Sequence, residues 1–72
     1  MTMIALRSSA IAAAGFDGST LRIEFTSSGQ TYDYPDVPVA IFHGLLDASS
    51  AGAYYARYIR DQYGTRRFLS LP

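Results

Sequence analysis

The single histidine, His43, stands four residues before Asp47, the spacing at which two side chains meet on a helix surface. An imidazole oriented by a carboxylate is the usual general base of nucleophilic catalysis, and Ser49 and Ser50 follow closely. The set stops short of a triad. No nucleophile is aligned with the pair, nothing supplies an oxyanion site, and helix capping accounts for both serines. One histidine and no cysteine do not make a metal site. Neither a Gly-x-Gly-x-x-Gly nor a phosphate-loop motif is present. The expectation is a protein that is not an enzyme and uses no metal and no cofactor.

A second set of residues suits a different chemistry. Tyr54, Arg57, Tyr58 and Arg60, followed by Arg66 and Arg67, interleave rings with cations, a mixture that neutralises phosphates and stacks bases. Every basic residue is arginine, whose planar, weakly hydrated guanidinium suits both tasks; an Arg- and Ala-rich codon usage explains the same composition. A solvated helix flank with ordinary Tyr–Arg packing competes with the nucleic-acid face, because the arginines are few. Formal net charge is zero, which argues against strong non-specific binding. The charge is uneven: Arg7 and Arg22 face Asp17, Glu24, Asp33 and Asp36 in the first half, whereas four arginines face Asp47 and Asp61 in the second.

The elements that position these groups follow from periodicity. Leu21-Arg22-Ile23-Glu24-Phe25 alternates apolar and charged residues as a half-buried strand does. Ile11–Phe16, ambiguous because its alanines favour helix, reads as a strand that ends in the turn signal Asp17-Gly18. Ser28-Gly29 predicts a two-residue hairpin turn, setting Phe25 opposite Tyr32 and Ile23 opposite Tyr34. Both tyrosines then share the buried face, with Thr31 and Asp33 outside. They serve the core rather than act as open stacking platforms. Pro35 ends the ladder and Pro38 stands near the first helical position, where proline is tolerated. Ile41, Phe42, Leu45 and Leu46 line one face of a helix over 39–48, leaving Ala40, His43, Gly44 and Asp47 on the other. Ser49 or Ser50 caps a second helix from Ala51 to about Tyr63, stopped at Gly64. Its core face carries Gly52, Tyr55, Ala56, Ile59 and Tyr63. Residues 1–10 form an arm or a short first strand, and 65–72 a basic and apolar tail that is an extra strand or a free end.

Seventy-two residues allow one domain with a thin core, buried to only about 60% of the unfolded surface. The absence of cysteine removes disulfide staples and fits a cytoplasmic location. No run approaches the roughly 18 apolar residues of a membrane span, and the start lacks a signal peptide's basic and apolar regions.

Taken in order, Ser8-Ser9-x-Ile11, Gly15-Phe16-Asp17, Leu21-x-Ile23-x-Phe25, Gly29, Tyr32-x-Tyr34, Val37-Pro38, Ala48-x-Ser50, Gly52-x-Tyr54-Tyr55 and Ile59-Arg60 resemble the KTSC domain. That family takes its name from a module at the C-terminus of some lysyl-tRNA synthetases and also occurs as small bacterial or phage proteins. Its hallmark is the Tyr-x-Tyr motif. The resemblance spans Ser8 to Tyr63, with Phe16 where tyrosine is common. It implies RNA binding, through the attachment to a tRNA-charging enzyme, and marks Tyr32, Tyr34, Pro38, Ser50 and Gly52 as motif residues of structural role. The expected architecture is α+β, a three-stranded antiparallel β-meander followed by two α-helices packed on one face, in a single domain with its core at about 8–64. The expected role is a small binding module for RNA, either tRNA or single-stranded. The alternative is a protein partner or self-association through Ile4, Leu6, Phe68, Leu69 and Leu71 in the terminal segments.

Overall fold

The computed structural model describes residues 1–67. The apolar–polar alternation becomes an antiparallel meander of β1 (Met3–Ala5), β2 (Ile11–Phe16), β3 (Leu21–Phe25) and β4 (Thr31–Tyr34). Helices α1 (Val39–Asp47) and α2 (Ala51–Tyr58) follow, and a two-residue β5 (Arg66–Arg67) pairs with β4 to complete the order β1-β2-β3-β4-β5. Four strands therefore precede the helices rather than the three expected from sequence, and the basic tail begins as a fifth. The first strand is only three residues long, Met3-Ile4-Ala5, all apolar though two are exposed, too short for an alternation to define it.

Both helices cover the same face of the sheet. Phe42 of α1 stacks on Phe16, with ring centroids 5.4 Å apart, and Tyr55 of α2 meets Phe25 edge to face at 5.1 Å. The space between is filled by Ile11, Leu21, Ile23, Leu45 and Ile59, each buried. Each contributes about 1.5–3 kcal/mol by leaving water. Ile11 and Ala14 are three apart yet both buried, because the register shifts between Ile11 and Ala13 and restores the alternation.

The hairpin between β3 and β4 departs from the two-residue turn. Phe25 N–H donates to the Gln30 carbonyl at 2.9 Å and Gly29 N–H to the Phe25 carbonyl at 3.0 Å, so the loop is Thr26 to Gly29. Gly29 closes it at φ +69°, where a side chain would strain. The longer loop places Ile23 opposite Tyr32 and Leu21 opposite Tyr34. The slip is by two residues, so the tyrosines keep the helix-covered face. Tyr34 is buried; Tyr32 is only half-buried.

Asp33 was expected in water and is 7% exposed. It lies opposite Arg22 on the other sheet face, and the two form a two-pronged pair, Nε to Oδ1 at 2.7 Å and Nη2 to Oδ2 at 3.0 Å. The ion pair raises the Arg22 guanidinium further above its ordinary value. A fork of this kind holds a nearly buried carboxylate that would otherwise be costly.

Local chemistry sets the helix limits. Pro38 is the N-cap of α1 rather than its first residue. Ser50 caps α2, its Oγ accepting from Ala53 N–H at 3.2 Å. The second helix ends at Tyr58, several residues before Gly64, because Asp61 turns the chain at φ 65°. Ile59 still packs into the core, whereas Ala56, assigned to the core face from sequence, is exposed. Gly52 lets α2 approach the chain before β2: a Cβ there would lie 2.9 Å from that of Ala10.

Candidate nucleic-acid interface

Helix α2 brings Tyr54, Arg57 and Tyr58 together through its three- and four-residue spacings. The rings of Tyr54 and Tyr58 lie 4.8 Å apart, and the Arg57 guanidinium sits 5.5 Å from the centre of the Tyr58 ring. Tyr58 is 44% exposed, a large apolar ring held open to solvent. Arg57 and Arg60 are also exposed.

Tyr54 has another task. Its hydroxyl donates to the Ile41 carbonyl at 3.1 Å and its ring lies over Gly44, where any Cβ would overlap the phenol. Gly44, assigned to the outer face of α1 from sequence, is thus the seat of the helix–helix contact. Burial raises the Tyr54 phenol above its ordinary value, with Tyr58 and Tyr63 nearby adding to the shift.

Arg66 and Arg67 stand apart from that cluster, on β5 at the sheet edge, in register with Asp33 and Tyr32 respectively. Of the six candidate residues, α2 therefore collects three, Arg60 follows in the turn, and the last two belong to another element. Residues 68–72, including Phe68, Leu69 and Leu71, lie outside the described residues. His43 and Asp47 are both exposed on α1.

Sequence reasoning missed a second feature. An open groove of about 400 Å³ runs beside the β3–β4 loop. Its aromatic lining is Phe25, Tyr32, Tyr34 and Tyr55; its polar lining is Ser27, Ser28 and Thr65. Phe25 meets Tyr32 edge to face at 5.8 Å, as it does Tyr55. Tyr34 and Tyr55 join their hydroxyls at 2.8 Å. Burial, and then that hydrogen bond, push the Tyr34 phenol well above its ordinary value. The signal available in the sequence was the Tyr-x-Tyr spacing itself, whose two rings both reach the groove, Tyr34 from the core and Tyr32 from its edge.

A four-stranded meander with a short fifth strand, two covering helices and a Tyr-x-Tyr strand at the edge of an aromatic groove define a small α+β domain. The family model of the KTSC domain matches residues 7–63. The chain belongs to the KTSC domain family. A curated protein of Tsukamurella paurometabola is 38% identical over 60 residues, 81% of this chain and 88% of its own. The crystal structure of the KTSC domain protein YPO2434 from Yersinia pestis superposes with a TM-score of 0.87 at 28% identity, over 93% of this chain and 96% of that one. No helix among the described residues is long and apolar enough to cross a membrane.

Proposed function

We propose that this KTSC domain is a cytoplasmic, non-enzymatic binding module whose ligand is RNA, either tRNA or single-stranded. The observation that carries it is the exposed Tyr58 ring with the Arg57 guanidinium held 5.5 Å from its centre, at the end of a helix whose following turn holds Arg60. A cation already oriented over a ring meets a phosphate, and the exposed part of that ring adds contact area for a base. Tyr54 braces Tyr58 from behind, and Arg66 and Arg67 add charge from the sheet edge. In a chain of zero net charge, such a local surface gives moderate, salt-sensitive affinity.

Fluorescence anisotropy with labelled tRNA and single-stranded RNA across a salt series tests the proposal. Affinity should fall steeply with salt, and Arg57→Ala should reduce the slope of log K against log salt by about one per lost phosphate contact. Absence of binding to either RNA at about 20 mM salt, where phosphate contacts are strongest, rules it out.

Self-association or docking of a protein partner is favoured instead by Ile4, 43% exposed on the edge strand β1 beside Leu45 and Leu46. Such an edge can take up another strand. Leu6, the neighbouring candidate, packs back against the core. An association lost in Ile4→Lys and insensitive to salt, seen by sedimentation equilibrium, distinguishes it from RNA binding.

A further inference from the structure

We infer that the groove between the β3–β4 loop and α2 is a seat for one unpaired nucleobase; the inference rests on the RNA proposal and names the subsite that reads the base. Three observations carry it. Phe25 meets both Tyr32 and Tyr55 edge to face, their rings inclined to it by 70° and 74°, so π-surfaces of differing orientation line one concavity. At about 400 Å³ it lies near the low end of ligand clefts, which run from about 300 to 1,000 Å³. Its rim carries hydroxyls from Ser27, Ser28 and Thr65, beside the bonded Tyr34–Tyr55 pair. Ser28 Oγ already accepts from Gln30 N–H and Thr65 Oγ1 donates to the Asp33 carbonyl, each at 3.1 Å, which leaves the Ser28 proton, a Thr65 lone pair and the Ser27 hydroxyl for a polar edge; a base offers both flat faces and such an edge.

Charge argues for a nucleotide rather than a neutral aromatic peptide. Arg66 and Arg67 follow directly from Thr65 of the rim, and Arg67 holds the register position opposite Tyr32. A base seated between Phe25, Tyr32 and Tyr55 would thus have its flanking phosphates beside a strand whose position in register with Tyr32 is an arginine, Arg67, Arg66 holding the position in register with Asp33. This subsite is distinct from the outward surface of Arg57 and Tyr58: Tyr55 looks into the groove while its neighbours on α2 do not.

The experiment compares a fluorescently labelled single-stranded uridine pentamer with the same pentamer lacking its central base, on wild type, Ser27→Trp, Tyr32→Leu and Arg57→Ala. Ser27 is exposed in the loop, so Ser27→Trp fills the groove without touching a strand. It should weaken binding of the intact pentamer by roughly tenfold, the scale of one lost base stack, and should not affect the abasic pentamer. Wild type should prefer the intact oligomer by about the same factor. Equal affinity for the two oligomers, or unchanged binding by Ser27→Trp while Arg57→Ala weakens it, overturns the groove seat and leaves the RNA proposal standing. No binding of either oligomer removes both. Should Tyr32→Leu fail to fold, as checked by circular dichroism, Ser27→Trp decides the matter alone.

Discussion

Gly44→Ala should destabilise this protein, although the same change in an ordinary helix stabilises it. Alanine is favoured over glycine in a helix interior by about 1 kcal/mol. Here the new methyl group would occupy the space of the Tyr54 phenol, whose hydroxyl binds the Ile41 carbonyl at 3.1 Å. Displacing Tyr54 sacrifices a hydrogen bond worth about 1 kcal/mol net and strains a packed contact by about 1–3 kcal/mol. The expected net loss is about 1–3 kcal/mol, out of a total near 4–10 kcal/mol for a chain of this length. In the Tyr54→Ala background the obstacle is gone, and Gly44→Ala should stabilise by about 1 kcal/mol. Urea denaturation of all four members of the cycle, followed by circular dichroism, measures the coupling, expected at about 2–4 kcal/mol. Gly44→Ala stabilising in the presence of Tyr54, or a coupling near zero, would refute the role assigned to this contact.

Stability should also fall at alkaline pH. The folded Tyr34 phenol lies above its ordinary value of 10.0, so unfolded chains lose this proton first and stability declines as pH rises past that value. Tyr34→Phe should flatten the decline, and ultraviolet titration should lose its latest tyrosine. Arg22→Ala should cost about 2–4 kcal/mol in urea denaturation, since it strands a nearly buried Asp33, and adding Asp33→Ala should recover part of it. Asp61→Val should cost about 1–2 kcal/mol, because a β-branched residue tolerates the left-handed conformation at φ 65° poorly, whereas Asp61→Gly should be tolerated.

The α+β character, the strands β2, β3 and β4 and the cap at Ser50 were legible because each rests on a local rule. Leu21, Ile23 and Phe25 alternate regardless of their partners, and Ser50 needs only the amide of Ala53. The loop between β3 and β4 was not legible. Gly29 marks a positive φ equally well for a two-residue or a four-residue loop, and the bonds Phe25 makes to Gln30 and Gly29, with Thr26 N–H turned to the Ala10 carbonyl, show which forms. Asp33 reads as a surface residue in any alternation pattern; its burial depends on Arg22, eleven positions away. The end of α2 was misplaced since Gly64 carries the stronger stop signal, yet aspartate also accepts the left-handed region. For the site, composition identified Arg57 and Tyr58, but not that Tyr54 faces inward. It could not reveal the groove either, which needs Phe25, Tyr32 and Tyr55 from three elements.

The shared hydrogen bond between Tyr34 and Tyr55 has a bearing on selectivity. Either hydroxyl can be the donor at 2.8 Å, and a phenol has one proton and two lone pairs. Reversing the bond costs only two hydroxyl rotations and exchanges which oxygen keeps a proton to offer outward. A molecule arriving with an acceptor and one arriving with a donor can therefore both be met without moving a ring. In the proposed base seat, such a pair would select by shape and planarity rather than by the polarity of the edge presented to it. Replacing either tyrosine with phenylalanine would leave one phenol that still donates and still accepts, so the tolerance would survive the loss of the bond.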